Sequence, residues 1–230
     1  MKLSKRLNSF LASAKSAAGF TMIELLIVIS ILGILAVAVL SAINPVEQIN
    51  RGRDTGSRSD AEQLLSAIDR FNAFQGYFPW VYRPTDDHTL ENTSNPDEPP
   101  FVTVDNSWYA YDDGTVTDCP VLTRLGSGDT TTVDTCTGAL EVKESFTTRI
   151  SDENSTPLYI YNSGDQGAST YVCFTPQSAA FVQEAEARCG DAAGTGNGVG
   201  PGLPDDMADI AAQVCGGYGT EPTQMMVCLP

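Results

Sequence analysis

A long uncharged apolar run near the start of the chain constrains its fold more than any other feature. The nineteen residues from Leu25 to Ile43 carry no charge, and only Ser30, Gly33 and Ser41 interrupt the aliphatic side chains. A transmembrane helix needs about 20 such residues to cross a hydrocarbon core of about 30 Å. Glu24 lies at the edge of the run, where an ionisable group is costly unless it finds a partner. The sequence therefore predicts a membrane helix with a carboxylate that needs pairing.

The charges that flank this run predict its orientation. Residues 1–19 contain Lys2, Lys5, Arg6 and Lys15 and no acid. Because basic flanks stay in the cytoplasm, we expect the N-terminus inside and everything after Ile43 outside. A Sec signal peptide cleaved near residues 40–42 and a plain signal anchor are the alternatives. The first fits less well, since a signal peptide has an apolar region of roughly 7–15 residues.

The segment GFTMIELLIVISILGILA (19–36) resembles the class III leader and N-terminal helix of type IV pilins and type II secretion pseudopilins. In that family a prepilin peptidase cuts after a glycine, the new N-terminal residue is N-methylated, and a glutamate is the fifth residue of the mature chain. The resemblance implies that Gly19 and Phe20 form the processing site. It implies that Phe20 and Glu24 act in assembly, the carboxylate pairing with the α-amino group of a neighbouring subunit. Gly33 and Pro45 resemble the family's helix-loosening residues.

The resemblance also implies a domain organisation and a fold. Residues 1–19 would be the leader, 20–43 the transmembrane and filament-core helix, 44–75 its amphipathic continuation, and 76–230 the exported globular domain. The implied fold is α+β, with the second half of a long helix packed on an antiparallel sheet and a disulfide-stapled C-terminal region.

The implied function is that of a structural subunit of a type IV pilus or a type II secretion pseudopilus. Its partners would be copies of itself, other pilins, the prepilin peptidase, the assembly machinery with its ATPase, and the membrane through residues 20–43. The chain would wait in the cytoplasmic membrane as a single-pass protein and then enter a periplasmic or extracellular filament. A membrane-anchored binding or adhesion protein that never polymerises is the competing hypothesis.

The charge balance excludes some function classes. The chain has 13 Lys and Arg against 29 Asp and Glu, a net charge of −16, and without residues 1–19 the net charge is −20. Such a surface repels phosphate backbones, so we expect no direct binding of nucleic acid. The single histidine, His88, lies in a polar stretch, and no Ser/His/Asp, Cys/His or paired-carboxylate motif can be assembled. We therefore expect no enzymatic activity.

All six cysteines follow the apolar run, so an exported chain would form disulfides. Cys119 and Cys136 form the expected local pair. For the other four we prefer the nested pairing Cys173–Cys228 with Cys189–Cys215. The sequential pairing stays open at this point.

The stretch after the apolar run has two halves with different patterns. Apolar residues at 61, 64, 65, 68, 71 and 74 predict a helix face that lies on a sheet, and Gly76 and Pro79 predict its end. Residues 44–60 contain Pro45, Gly52 and Gly56 and few apolar residues. We expect a helix hinge there, together with Gly33. Residues 44–60 are either a flexible connector or, as the resemblance implies, part of one continuous helix of about 54 residues.

The rest of the chain alternates short apolar pieces with polar loops. The pieces at 101–104, 107–111, 157–163, 169–174 and 223–229 predict strands, and those at 177–190 and 205–215 predict short helices. Residues 83–100 predict a surface loop. The glycine-rich run 191–202 has no phosphate-binding spacing, and we interpret it as a loop.

Two further kinds of site remain open from the sequence. The expectation is no cofactor, but Asp112, Asp113 and Asp118, and more weakly Asp152 and Glu153, could bind a structural calcium, because hard oxygen ligands suit that ion. We prefer solvated turns for both groups. The aromatic residues, among them Trp80 and Trp108, could form a carbohydrate platform, but strand spacing favours the core.

Overall fold

The computed structural model describes residues 19–42, 44–82, 101–112, 115–126, 138–164, 167–190, 202–216 and 225–230, without the side chains of 42 and 111–118. The chain divides into two compact units between Pro45 and Val46, and each is described by itself. The predicted loops at 83–100 and 191–201 lie outside the described residues, as does His88.

The first unit is a single apolar helix, α1, at Met22–Ala42. Its residues Met22–Ser41 have a mean hydropathy of 2.9 and are exposed throughout, and by length and composition this helix can cross a membrane. A second helix, α2, begins at Pro45 and ends at Gln75. Asn44 is not helical, so the continuous helix implied by the resemblance is interrupted there. Proline has no N–H for the preceding turn but fits the first position of a new helix, which explains the restart at Pro45.

Helix α2 presents one continuous stripe that is half-buried at its first two residues and buried from Asp54 onward. Its residues recur at alternating steps of three and four, which is one face of a helix. The stripe runs Glu47, Asn50, Asp54, Ser57, Ala61, Leu64, Ile68, Phe71. Its first four residues are polar and its last four are apolar. Residues 45–60 are helical, so the hypothesis of a flexible connector is wrong for them. The helix ends at Gly76, which has a φ of 81° and donates to the carbonyl of Asn72 at 2.8 Å.

The main sheet has four antiparallel strands in the order β1-β4-β5-β6. These strands are β1 Phe101–Thr103, β4 Leu158–Tyr161, β5 Tyr171–Phe174 and β6 Val227–Leu229. Each lies within a piece that the sequence predicts as a strand. Strands β2 Tyr109–Asp112 and β3 Thr115–Pro120 pair with each other in a separate antiparallel hairpin.

The sheet is buried on both faces, because alternate side chains of a strand point to opposite sides. Leu158, Ile160, Val172 and Phe174 belong to the same core as the apolar half of α2. The intervening tyrosines and cysteines of these strands join a second core with Met207, Ile210 and Val214. The α+β fold, with the second half of α2 in one core with an antiparallel sheet, is therefore confirmed.

Five shorter helical segments lie in the described part of the chain. They are α3 Val121–Gly126, α4 Glu144–Ile150, α5 Ala179–Cys189, a 3-10 helix at Asp205–Ile210, and α6 Ala211–Gly216. The helices predicted at 177–190 and 205–215 are present, the latter as a 3-10 turn that continues into α6. The sequence analysis missed α3, α4 and β3. These elements are six or seven residues long, so hydrophobic periodicity has too few repeats to reveal them.

A fully buried arginine, Arg124 of α3, organises the turn that follows α2. Its guanidinium donates to the carbonyls of Pro79 at 2.8 Å and Val81 at 2.6 Å, and to the hydroxyl of Tyr77 at 3.1 Å. It also lies 5.0 Å from the ring centre of Phe71. Burial lowers the pKa of Arg124 from its usual value, and the nearby Tyr77 opposes that shift. In the sequence, a single arginine in an apolar helix does not predict this role.

Candidate processing and assembly site

The predicted processing site lies just before α1. Phe20 is 87% exposed, and a side chain built on Gly19 would meet no other atom within 4 Å. Packing in this structure therefore does not require a glycine at residue 19.

Glu24 and Thr21 form a reciprocal cap on α1. The Thr21 backbone N–H and hydroxyl donate to Glu24 Oε2 at 2.9 and 2.8 Å, and the Glu24 N–H donates to the Thr21 hydroxyl at 3.3 Å. This is the capping box of a Ser or Thr followed three residues later by Glu. The sequence analysis missed it, although the spacing T-x-x-E before an apolar run is its signal. The cap uses only Oε2, and within the described residues Glu24 Oε1 accepts no hydrogen bond.

The predicted hinge residues lie in different local settings. Pro45 is at the break between α1 and α2, whereas Gly33 lies inside α1 and Gly52 and Gly56 lie inside α2. The three glycines have open space where a side chain would be. A hinge role at these four positions stays a prediction.

The polar half of α2 is attached to the first turn of α5. The buried Asp54 carboxylate accepts the backbone N–H of Gln177 at 2.9 Å and that of Ser178 at 2.7 Å, and it also accepts the Ser178 hydroxyl. Glu47 accepts the N–H of Ala179 at 2.9 Å. Two carboxylates on one helix thus satisfy the free N–H groups at the start of another. The sequence analysis missed this contact, because no local cap signal exists for a partner 123 residues away.

Two disulfides hold the C-terminal region. Cys173 of β5 bonds Cys228 of β6, and Cys189 at the end of α5 bonds Cys215 of α6. The nested pairing is therefore present and the sequential one is wrong. Cys119 is also disulfide-bonded. Its predicted partner Cys136 lies outside the described residues, so that local pair stays a prediction.

The calcium hypothesis is mostly outside the described part of the chain. Asp113 is not described, nor are the side chains of Asp112 and Asp118. Asp152 lies in an exposed turn and accepts two bonds from Asn154, at 2.8 Å from its N–H and 3.0 Å from its amide nitrogen. These bonds lower the pKa of Asp152. Among the described residues, no group of three or more His, Cys, Asp or Glu side chains is arranged to hold a metal ion.

The two tryptophans do not form a surface platform. Trp80 and Trp108 are 1% and 4% exposed, and their ring centres lie 6.4 Å apart in the core. The carbohydrate hypothesis is therefore wrong for this pair, and their place in the core is confirmed.

Comparison with known proteins adds one finding at the N-terminal site. Residues 14–40 match the family model of the prokaryotic N-terminal methylation motif. No curated protein and no solved structure matches the chain significantly. The matched segment contains the Gly19–Phe20 bond, the Thr21–Glu24 cap and nearly all of α1. The chain carries, at residues 14–40, the N-terminal methylation motif that is the hallmark of the type IV pilin and pseudopilin prepilin-type signal.

Proposed function

We propose that this protein is a structural subunit of a type IV pilus or a type II secretion pseudopilus. The observation that carries the proposal is the coincidence of the methylation motif at residues 14–40 with an exposed apolar helix capped by Glu24. A motif of this kind implies processing by a prepilin peptidase and assembly with pilins.

The first step is hydrolysis of the bond between Gly19 and Phe20. Water adds across this amide, which leaves a carboxyl group on Gly19 and a free amine on Phe20. The amine nitrogen then takes the methyl group of an external methyl donor and releases a proton. The four basic residues of the leader keep residues 1–19 on the cytoplasmic side. The bond directly precedes the capped start of α1, so it lies at the inner face of the membrane, where a membrane peptidase can reach it.

The second step is assembly, in which Glu24 selects the register of the incoming subunit. A carboxylate surrounded by packed apolar helices is very costly unless it is paired. The cap does not use the Glu24 Oε1 atom. This atom accepts a hydrogen bond from the methylated amine of Phe20 in a neighbouring subunit. The capping box holds the carboxylate at the helix start, so that it faces the amine only when two subunits are aligned.

The exported domain has a structural rather than an enzymatic role. The polar contacts described in this domain serve helix caps, turns and ion pairs. We expect this domain to form the filament surface, with its acidity keeping neighbouring filaments apart in solution.

The experiment measures processing and assembly separately. Intact-mass analysis of the exported protein should give a chain that begins at Phe20 and carries one added methyl group. A mature chain that begins at Met1, or after residue 40, would end the proposal. Sheared surface filaments or pseudopili should then contain the processed chain.

Three variants distinguish the contribution of the Thr21–Glu24 cap to assembly from that of the Glu24 charge. Glu24→Ala removes both the cap and the charge, Glu24→Gln keeps a capping side chain without the charge, and Thr21→Ala keeps the charge without the cap. We expect normal membrane insertion in all three and loss of filaments in both Glu24 variants. Filaments at normal levels with Glu24→Gln would show that pairing with the amine is not the role of Glu24. A processed wild-type chain that never leaves the membrane would favour the non-polymerising binding protein instead.

A further inference from the structure

In the first three turns of α2, the acidic side chains are bonded to the backbone before and at the start of α5 and the two arginine side chains are exposed. The two acids, Glu47 and Asp54, are bonded to the backbone at the start of α5. Two arginines on the same turns, Arg51 and Arg53, are exposed. Within the described part of the chain the Arg51 guanidinium has no partner, and that of Arg53 has only a 3.5 Å contact with the Gln177 side chain.

Two aliphatic residues are exposed on the same turns. Val46 is 62% and Ile49 is 57% exposed. After Pro45, only Phe74 and Leu140 join them as large exposed hydrophobic residues of the described chain. We call Val46, Ile49, Arg51 and Arg53 the collar, because these residues surround the helix on the sides that α5 does not cover.

Chain connectivity places the collar close to the membrane surface. Val46 is five residues beyond Ser41, where the membrane-length part of α1 ends. Five residues span about 8 Å as a helix and at most about 18 Å when extended. The side chains of α2 tilt toward its N-terminus, and arginine side chains extend their charged ends toward polar groups while their stems cover apolar surface. The start of α2 therefore lies near the headgroup layer, and the long side chains of Arg51 and Arg53 can extend back toward it.

We infer that the collar binds the outer surface of the lipid bilayer before the subunit leaves the membrane. Val46 and Ile49 enter the boundary between headgroups and acyl chains, and Arg51 and Arg53 bind lipid phosphates. This combination of aliphatic and basic side chains is typical of interfacial helices. The inference rests on the membrane insertion of α1 in the proposed function.

The charges at this surface are complementary to anionic lipid. Glu47 and Asp54 would repel phosphates, but both are turned toward the N–H groups of α5. The mature chain carries a net charge of −20, so the rest of its surface is repelled by anionic lipid. The collar is thus a local exception that would hold the base of the domain at the membrane while the remainder stays in solution.

The test measures the depth of the collar in vesicles with the full chain. A tryptophan introduced by Ile49→Trp reports contact with acyl chains when brominated phosphatidylcholine quenches its fluorescence. The matched control is Phe74→Trp, which places the probe on the same helix at a residue that is 80% exposed, 25 residues or about 38 Å away. Trp80 and Trp108 are buried in the domain, and their signal is subtracted with the unmodified chain.

We expect at least twofold stronger quenching at residue 49 than at residue 74. In vesicles that contain phosphatidylglycerol, R51E together with R53E should reduce quenching at 49 by at least half. Lys143→Glu, which changes one exposed basic residue of α4's flank, should leave that quenching unchanged. Raising the salt concentration to 1 M should reduce the quenching only partly, because salt screens the arginines but not the aliphatic contact.

Equal quenching at 49 and 74 would overturn the inference, and so would quenching at 49 that does not respond to the two charge reversals. Loss of filaments in the R51E, R53E variant without any quenching at 49 would assign the collar to a neighbouring copy of the chain instead. A chain that does not float with the vesicles would overturn both the inference and the anchoring on which it rests. Failure of cleavage or of filament formation would contradict the proposed function alone, since the quenching result needs only insertion of α1.

Discussion

The two halves of α2 are held by different chemistry along the same buried stripe. Ala61, Leu64, Ile68 and Phe71 pack in the core with the sheet, as their spacing predicts. Asp54 lies on the same face of the helix, seven residues before Ala61. It is 1% exposed and accepts a hydrogen bond from Ser178, which directly precedes α5. The helix is therefore attached by burial of apolar surface in one half and by charge-assisted hydrogen bonds in the other. A low content of apolar residues does not mean that a helix segment is unattached.

The largest expected effect tests the apolar half of this comparison. Phe71→Ala removes a fully buried ring that meets Tyr77 edge to face at 5.8 Å and lies beside Arg124. We expect a loss of about 3–5 kcal/mol in the free energy of unfolding, because a large cavity forms. Urea unfolding of the full chain in detergent, followed by tryptophan fluorescence, measures it. Phe74→Ala is the matched control, 80% exposed, and it should change stability by less than about 0.5 kcal/mol.

The next effect tests the polar half. Asp54→Ala leaves the part-buried N–H of Gln177 and the buried N–H and hydroxyl of Ser178 without their acceptor, and we expect a loss of about 2–3 kcal/mol. Amide exchange should accelerate across 45–57 and at the start of α5, and remain slow across 61–75. Asp69→Ala, which removes an exposed carboxylate from the same helix, should change neither. If Asp54→Ala matched this control, residues 45–57 would be the loosely held segment that the sequence predicts.

A smaller effect, a gain in stability instead of a loss, is expected when the glycines of the polar half of α2 are replaced. Gly52 and Gly56 lie inside α2 with open space around them, so Gly→Ala at either should stabilise the protein by up to about 1 kcal/mol. Gly76→Ala is the control. Its φ of 81° is unfavourable for alanine, so that variant should be destabilised. Thermal unfolding of the three variants ranks their stabilities. If neither Gly52→Ala nor Gly56→Ala stabilised the protein, helix propensity would not limit the stability of the first half of α2.

The smallest effect compares the buried carboxylate of Asp54, inside α2, with the exposed carboxylate of Asp152 in a turn. Asp152 accepts two bonds from Asn154, which hold its pKa below the usual value near 3.8. Since its pKa is lowered in the folded state, its contribution is present above the unfolded pKa and is lost as the pH falls through the folded one. A carboxyl NMR titration should give a midpoint below 3.8. Asp152→Ala should cost far less than Asp54→Ala, and equal costs would show that burial is not what distinguishes the two.

The sequence predicts the parts of this fold that depend on apolar periodicity, and little of what depends on polar contacts. The apolar half of α2 and the main strands follow from spacing, whereas the sequence leaves both the nested and the sequential disulfide pairings open. The partners of Asp54 and Arg124 do not, because a polar side chain reveals nothing about a partner far along the chain. Two signals were present but unused. The T-x-x-E spacing at Thr21 marks the cap of α1, and the Asp113–Gly114 pair between alternating residues is a hairpin signal.

The nested disulfides have a mechanical consequence for a subunit that carries load. The bond between Cys173 and Cys228 closes a loop with a sequence separation of 55, and the bond between Cys189 and Cys215 lies within it. When such a chain is pulled between α1 and β6, force passes directly from β5 to β6 through the outer bond. The enclosed contour length, roughly 190 Å when extended, cannot be released. Any lengthening under tension must therefore come from the chain before β5, and the region beyond it transmits force as a closed covalent ring.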